Sequence, residues 1–173
     1  GKWHLESQPQ GFTFWQILPG QGHYYNPDFL HMDGSRKRME GYIANVVEDV
    51  AEQWLDTRDT TKPFCLVIGH KNTHRTWLPD TTDLGMFDNK TFALPANFYD
   101  TYAGRDAAKR QDMTIDKTML MGYDLKMFDN DEEANKEGSI ARMNAAQKEK
   151  FLHYYKGVNN DFKAKKLTGN ALT

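Results

Sequence analysis

Ile43-Ala-Asn-Val-Val-Glu-Asp-Val-Ala-Glu-Gln-Trp-Leu55, then a polar turn at 57–62, then Pro63-Phe-Cys-Leu-Val-Ile-Gly69: this succession, within Arg36–Pro79, decides the fold. Ile43, Val46, Val47, Val50, Ala51, Trp54 and Leu55 recur at the i, i+3, i+4, i+7 spacing of one helical face. Asn45, Glu48, Asp49, Glu52 and Gln53 fill the opposite, water-facing side. The apolar run that follows predicts a strand buried on both faces, as in a helix-covered sheet. Cys65 lies inside that run and is expected to be a buried, inert thiol. Directly beyond it stand His70-Lys-Asn-Thr-His74-Arg-Thr-Trp-Leu-Pro79. Open α/β sheets bind ligands at the carboxyl ends of their strands, so this segment reads as a cationic, histidine-bearing lip.

Composition narrows the function classes. The 173 residues suffice for one core, and the formal net charge is −2. That charge gives no bulk electrostatic case for nucleic acid or an anionic membrane. No stretch approaches the roughly 20 apolar residues of a membrane span, so no membrane insertion is expected. One cysteine excludes an intrachain disulfide. The chain opens Gly-Lys-Trp-His without an initiator Met, which predicts an interior piece of a longer protein.

Outward from the central stretch, residues 1–5 alternate polar and apolar side chains. If extended, Lys2 and His4 share one face about 6.5 to 7 Å apart, close enough to touch one tetrahedral oxyanion; two ordinary surface residues fit the spacing as well. Residues 11–29 form an aromatic, turn-rich segment. Pro19-Gly20, Gly22 and Asn26-Pro27 punctuate it, and Gln21 and His23 are its exposed candidates. His23 and His31 lack any tight ligand pairing and read as structural rather than metal-binding. Residues 80–100 read as an irregular excursion holding a formal sequon, Asn89-Lys-Thr91, and an extended anchor, Leu94-Pro-Ala-Asn-Phe98. Part of 103–128 is expected to be helical, and the acidic run 129–138 lacks the order of an EF-hand and reads as a solvated loop. From Ser139, a potential cap, the stripe Phe151, Tyr154, Tyr155, Val158, Phe162 predicts a second long helix.

The chemistry reduces to anion-gripping groups: Lys2, His4, Lys71, His74 and Arg75. Lys and Arg supply positive charge for a sulfate or phosphate, and His can move a proton to a leaving oxygen. No Gly-x-Ser-x-Gly elbow, His-Glu-x-x-His helix or metal-type cluster is visible, and no nucleophile is evident.

Gly1-Lys-Trp-His-Leu5 resembles a signature of the formylglycine-dependent (type I) sulfatases. Further segments agree in order: Gly11-Phe12 with Trp15, Gly20-Gln-Gly-His-Tyr-Tyr-Asn-Pro27, Gly41-Tyr42, Trp54-Leu55, Lys62-Pro-Phe64, Thr73-His-Arg-Thr-Trp77, Leu94-Pro-Ala-Asn-Phe98 and Tyr154-Tyr155. The Lys-Asn-Thr-His-Arg-Thr-Trp form looks most like bacterial N-acetylglucosamine-6-sulfatases. The resemblance implies an α/β, alkaline-phosphatase-like sandwich of a mixed sheet between helices, present only in part. Residues 1–173 would be the central part of a catalytic domain, partnered by its remaining segments. It implies a sulfuric ester hydrolase acting on a sulfated carbohydrate, foremost 6-sulfated N-acetylglucosamine of a glycosaminoglycan or mucin glycan, in which a formylglycine attacks sulfur. Lys2 would bind the sulfate oxygens, His4 would handle the formylglycine proton, and His74 would help protonate the leaving oxygen. Lys71, Arg75, Gln21 and His23 would line the substrate rim. The Cys/Ser-x-Pro/Ala-x-Arg nucleophile motif and the aspartates of a calcium site are absent, since Cys65 is followed by Leu-Val-Ile-Gly. Formylglycine and calcium ligands are therefore expected outside this chain, as is an export signal for a periplasmic or otherwise exported protein. A non-catalytic sulfated-glycan binding module, a phosphodiesterase of the same superfamily and a site-less structural segment remain alternatives.

Overall fold

The computed structural model describes residues 1–113 and 117–171. Three short strands, β1 (Gln16–Ile17), β2 (Asp28–His31) and β3 (Arg36–Arg38), form an antiparallel meander in that order. Ile17 pairs with Leu30, and Phe29 with Lys37. The turn between β2 and β3 is built on Asp33-Gly34: Gly34 takes φ +79°, and the Asp33 carboxylate accepts the Ser35 N–H at 2.8 Å. Next comes helix α1 (Ile43–Thr57), followed by four single-turn helices, α2 (Asp106–Arg110), α3 (Met121–Leu125), α4 (Asp131–Ala134) and α5 (Gly138–Ala141). The long helix α6 (Ala145–Lys165) and a 3-10 turn (Gly169–Ala171) complete the order.

α1 forms as its periodicity predicts, burying Ile43, Val46, Val47 and Ala51. Leu55 at its end stays exposed. The core cluster joins that face to Leu18, Tyr24, Tyr25 and Phe29 on one side and to Phe128, Ala134, Ile140, Met143 and Phe151 on the other. α6 starts at Asn144, not Ser139. Asn144 accepts the Gln147 N–H, and the Gln147 side chain accepts the Asn144 N–H, a closed capping box. Asn26 fastens this helix start to the N-terminal half. Its Nδ2 donates to Arg142 O (2.6 Å) and Gln147 Oε1 (2.9 Å), and its Oδ1 accepts the Gly41 N–H (2.9 Å). The acidic run is partly helical as α4, whose cap is Asn130. Residues 80–100 hold turns and no helix or strand, as expected; in the anchor Leu94–Phe98, Leu94 is exposed and Phe98 half-buried.

The run Pro63–Gly69 departs from the prediction. It belongs to no strand, and most of its side chains are exposed, Val67 to 73%, while Leu66 is half-buried. The Cys65 thiol is exposed too. Its single backbone ladder bond in this region runs from Lys2 N–H to Gly69 O (2.6 Å). Apolarity marks the run for a core, but burial needs strands and helices on both sides, and the described residues supply only Trp54 and Arg58 against Phe64. A cleft of about 350 Å³ opens between the ribbon, residues 1–3 and 11–17, and the Val47–Trp54 face of α1.

Candidate anion site

The site is assembled from three irregular segments. Gly1–Trp3 runs extended between two neighbours: Leu18 N–H donates to Gly1 O (2.9 Å), Lys2 N–H donates to Gly69 O, and Lys2 bridges Leu18 in parallel. The turn Pro19-Gly-Gln-Gly22 closes with Gly22 N–H to Pro19 O (3.1 Å). It needs φ of +56° at Gly20 and +64° at Gly22, where side chains are strained. The third segment is 70–80, whose His74 N–H returns to Lys71 O at 2.8 Å.

Gln21 joins the three. Its side-chain nitrogen lies 2.9 Å from His4 Nδ1 and 3.5 Å from Nε2, and its carbonyl accepts Lys71 Nζ at 3.1 Å. Lys71 is buried, with its ammonium 4.8 Å from the centre of the Tyr24 ring. Burial lowers the Lys71 pKa, and the nearby Lys2 charge lowers it further. His23 is half-buried; burial lowers its pKa first, then Arg142 and Lys71. Thus Lys2, His4, Gln21, His23 and Lys71 gather at one place. Two ammonium groups, two imidazoles and an amide there suit an oxyanion bearing several acceptor oxygens.

His74 and Arg75 behave differently from their neighbours. The His74 ring is exposed, and its Nδ1 faces Arg75 O at 2.5 Å. A nitrogen facing a carbonyl carries the proton, so neutral His74 presents a bare Nε2 and must become imidazolium to donate there. Arg75 is not a free rim cation. Its Nε and Nη2 grip the Asp124 carboxylate at 2.5 and 2.6 Å, and its guanidinium lies 4.9 Å from the Tyr123 ring centre. The expected rim role is therefore corrected: the guanidinium fork is already occupied, although the side chain is 45% exposed.

The segment 74–79 has no regular structure, yet its carbonyls are satisfied one by one. Tyr24 OH donates to His74 O, Lys126 Nζ to Thr76 O, Tyr42 OH to Leu78 O and Tyr25 OH to Pro79 O. Burial raises the Tyr24 pKa to about 12 and pushes Tyr25 and Tyr42 up as well, so these phenols remain donors. Tyr24, Tyr42, Asp124 and Lys126 are the residues missed in the sequence. Their partners lie 36 to 50 positions away, and no local pattern announces them. No group of three or more His, Cys, Asp or Glu able to hold a metal ion exists among the described residues.

No family model matches the chain. An N-acetylglucosamine-6-O-sulfatase of Bacteroides thetaiotaomicron is 46% identical over 136 residues, 76% of this chain and 24% of that protein. The structure of BT4656 in complex with its substrate D-glucosamine-2-N,6-O-disulfate superposes with a TM-score of 0.89 at 39% identity, over 99% of this chain and 36% of that one. The chain thus spans about a quarter of the length of the curated relative it matches. The ribbon, α1 and α6 are parts of an alkaline-phosphatase-like α/β fold, of which these residues hold only a portion. By sequence and by fold, the chain belongs to the sulfatase family.

Proposed function

We propose that this chain carries the sulfate-gripping part of a sulfuric ester hydrolase that removes sulfate from a sulfated amino sugar, foremost 6-sulfated N-acetylglucosamine. One observation carries the reading: Lys2, His4, Gln21 and Lys71 gather at one place in a chain 46% identical to an N-acetylglucosamine-6-O-sulfatase. The relative of known structure binds a glucosamine sulfated at N2 and O6. Lys2 and Lys71 draw the sulfate oxygens and offset charge that develops on them. His4, held against the Gln21 amide, exchanges a proton at the sulfur end. His74, once imidazolium, donates from Nε2 to the departing sugar oxygen.

The family's formylglycine and calcium do not fit the residues described here. Cys65 lacks the x-Pro/Ala-x-Arg context, and the site itself holds cations rather than carboxylates. No step is assigned to either group. We place both in the remaining segments of the same catalytic domain, of which residues 1–173 are the central part, and the whole protein outside the cytoplasm. No helix among the described residues is long and apolar enough to cross a membrane.

The test is a calorimetric titration of the chain with D-glucosamine-2-N,6-O-disulfate, 6-sulfated N-acetylglucosamine and unsulfated glucosamine. Binding that requires the 6-sulfate and is lost in Lys2→Ala and Lys71→Ala supports the proposal. Equal binding of the unsulfated sugar, or indifference to both substitutions, overturns it. A sulfated-glycan binding module is the second reading, in which the same cations hold the sulfate without a reaction. A polypeptide that adds the domain's remaining segments separates the two by releasing sulfate or failing to.

A further inference from the structure

Five backbone carbonyls of 74–79 are held by side chains, and one of the clamps comes from α3 and its C-cap rather than from the tyrosines. Asp124 grips the Arg75 side chain with both oxygens, and its Oδ2 also accepts the Leu120 N–H at 2.8 Å. The carboxylate is 2% exposed. Lys126, buried, caps α3 in a left-handed conformation at φ 59°. Its Nζ donates to Thr76 O and to Asp124 O (2.8 Å) and lies 5.7 Å from the Trp77 ring centre. Burial lowers the Lys126 pKa to about 8. The His74 ring points its Nδ1–H at Arg75 O, the carbonyl between the two groups so held.

We infer that Asp124 and Lys126 are positioning residues that fix the orientation of His74, acting through the Arg75 side chain and the Thr76 carbonyl. This rests on the reading of His74 as the group that meets the sulfated sugar, but its physical core is independent of that reading. With Arg75 pinned and Thr76 O engaged, the intervening peptides cannot rotate freely. The Arg75 carbonyl therefore stays in line with Nδ1, and Nε2 is the nitrogen left to face a ligand. An unclamped segment lets the ring sample both tautomers. The clamp also keeps the Arg75 charge off the sugar rim.

The experiment measures the ring-nitrogen shifts of His74 in the whole 173-residue chain, as wild type, Asp124→Asn, Lys126→Met and Asp124→Glu. Wild type is expected to show one protonated Nδ1. Asp124→Asn and Lys126→Met are expected to show averaged tautomers, with the His4 resonances unchanged, and Asp124→Glu partial recovery. Affinity for D-glucosamine-2-N,6-O-disulfate should fall on the order of tenfold in the first two variants, the size of one charge-assisted contact. Retention of the single tautomer in a folded Asp124→Asn chain overturns the inference. So does tighter sugar binding, which would show Arg75 acting as a released ligand. If Asp124→Asn does not fold, Lys126→Met decides by the same shifts. A wild-type chain that binds no sugar would sink the proposed function while the tautomer readout still decides the clamp.

Discussion

Removing a single oxygen from Tyr42 tests whether phenol hydroxyls hold the 74–79 segment in place. Tyr42 OH donates to Leu78 O at 2.8 Å and accepts Asn72 Nδ2 at 2.6 Å. Tyr42→Phe keeps the ring contacts with Tyr24 and Tyr25, at 6.1 and 5.5 Å between centres, so packing is spared. Each lost hydrogen bond is worth about 0.5–1.5 kcal/mol net. Leu78 is 2% exposed, so its carbonyl, stripped of this donor, bears a cost near the middle of about 1–3 kcal/mol, which already contains the lost bond. Asn72 is exposed, and its amide recovers a partner in water. The sum is close to 2 kcal/mol, dominated by the carbonyl. In a chain of this size that lowers Tm by about 4–8 °C. The assay is urea unfolding followed by tryptophan fluorescence, with Tyr154→Phe as the control. Tyr154 OH also meets a carboxylate, Asp88 Oδ1 at 2.6 Å, but on the exposed surface, and should change stability by no more than about 0.5 kcal/mol. If Tyr42→Phe costs no more than this control, buried phenol-to-carbonyl bonds do not hold the segment and the reasoning is wrong.

Acid should unfold the chain partly through Asp124. The Arg75 fork holds its carboxyl below the ordinary 3.8, with burial opposing, so its stabilisation is present above that value and lost as pH falls through the lowered one. Asp124→Asn should therefore flatten the stability profile below about pH 4, read by fluorescence-monitored acid titration. Lys126 gives the reverse window: its pKa, about 8 folded against 10.5 ordinarily, predicts that its burial cost is relieved as pH rises between those values. Lys126→Met should erase that part of the alkaline profile. Asn144→Ala should cost about 1 kcal/mol by opening the α6 capping box, measurable as a urea midpoint shift. Cys65 should react with a thiol reagent in the native chain as fast as in urea, and a strongly protected thiol would contradict its exposed position.

The parts legible in the sequence were those whose cause is local. α1 announced itself because Ile43, Val46, Val47 and Ala51 share a face by spacing alone. Lys2, His4 and Lys71 were singled out by charge and by a signature, and the structure sets His4 and Lys71 against Gln21, a contact that no spacing reveals. The meander was missed because its strands are two to four residues long, and the edge Arg36-Lys37-Arg38 is wholly exposed and has no alternation to read. Arg75 was misread because its partner, Asp124, stands 49 positions downstream. The Pro63–Gly69 run was read as a covered strand, but among the described residues it joins no sheet and is mostly exposed, since pairing and cover are properties of neighbours and not of the run.

That uncovered ribbon has a consequence for the 173-residue chain handled by itself. Phe64-Cys-Leu-Val-Ile68 is a short, uncharged, β-prone window, the kind of segment that templates cross-β stacking. A net charge of −2 offers little colloidal repulsion against self-association. The flanks supply the counterweight: Lys62 and Pro63 stand before the window, His70 and Lys71 after it, and gatekeepers of this kind discourage fibril growth.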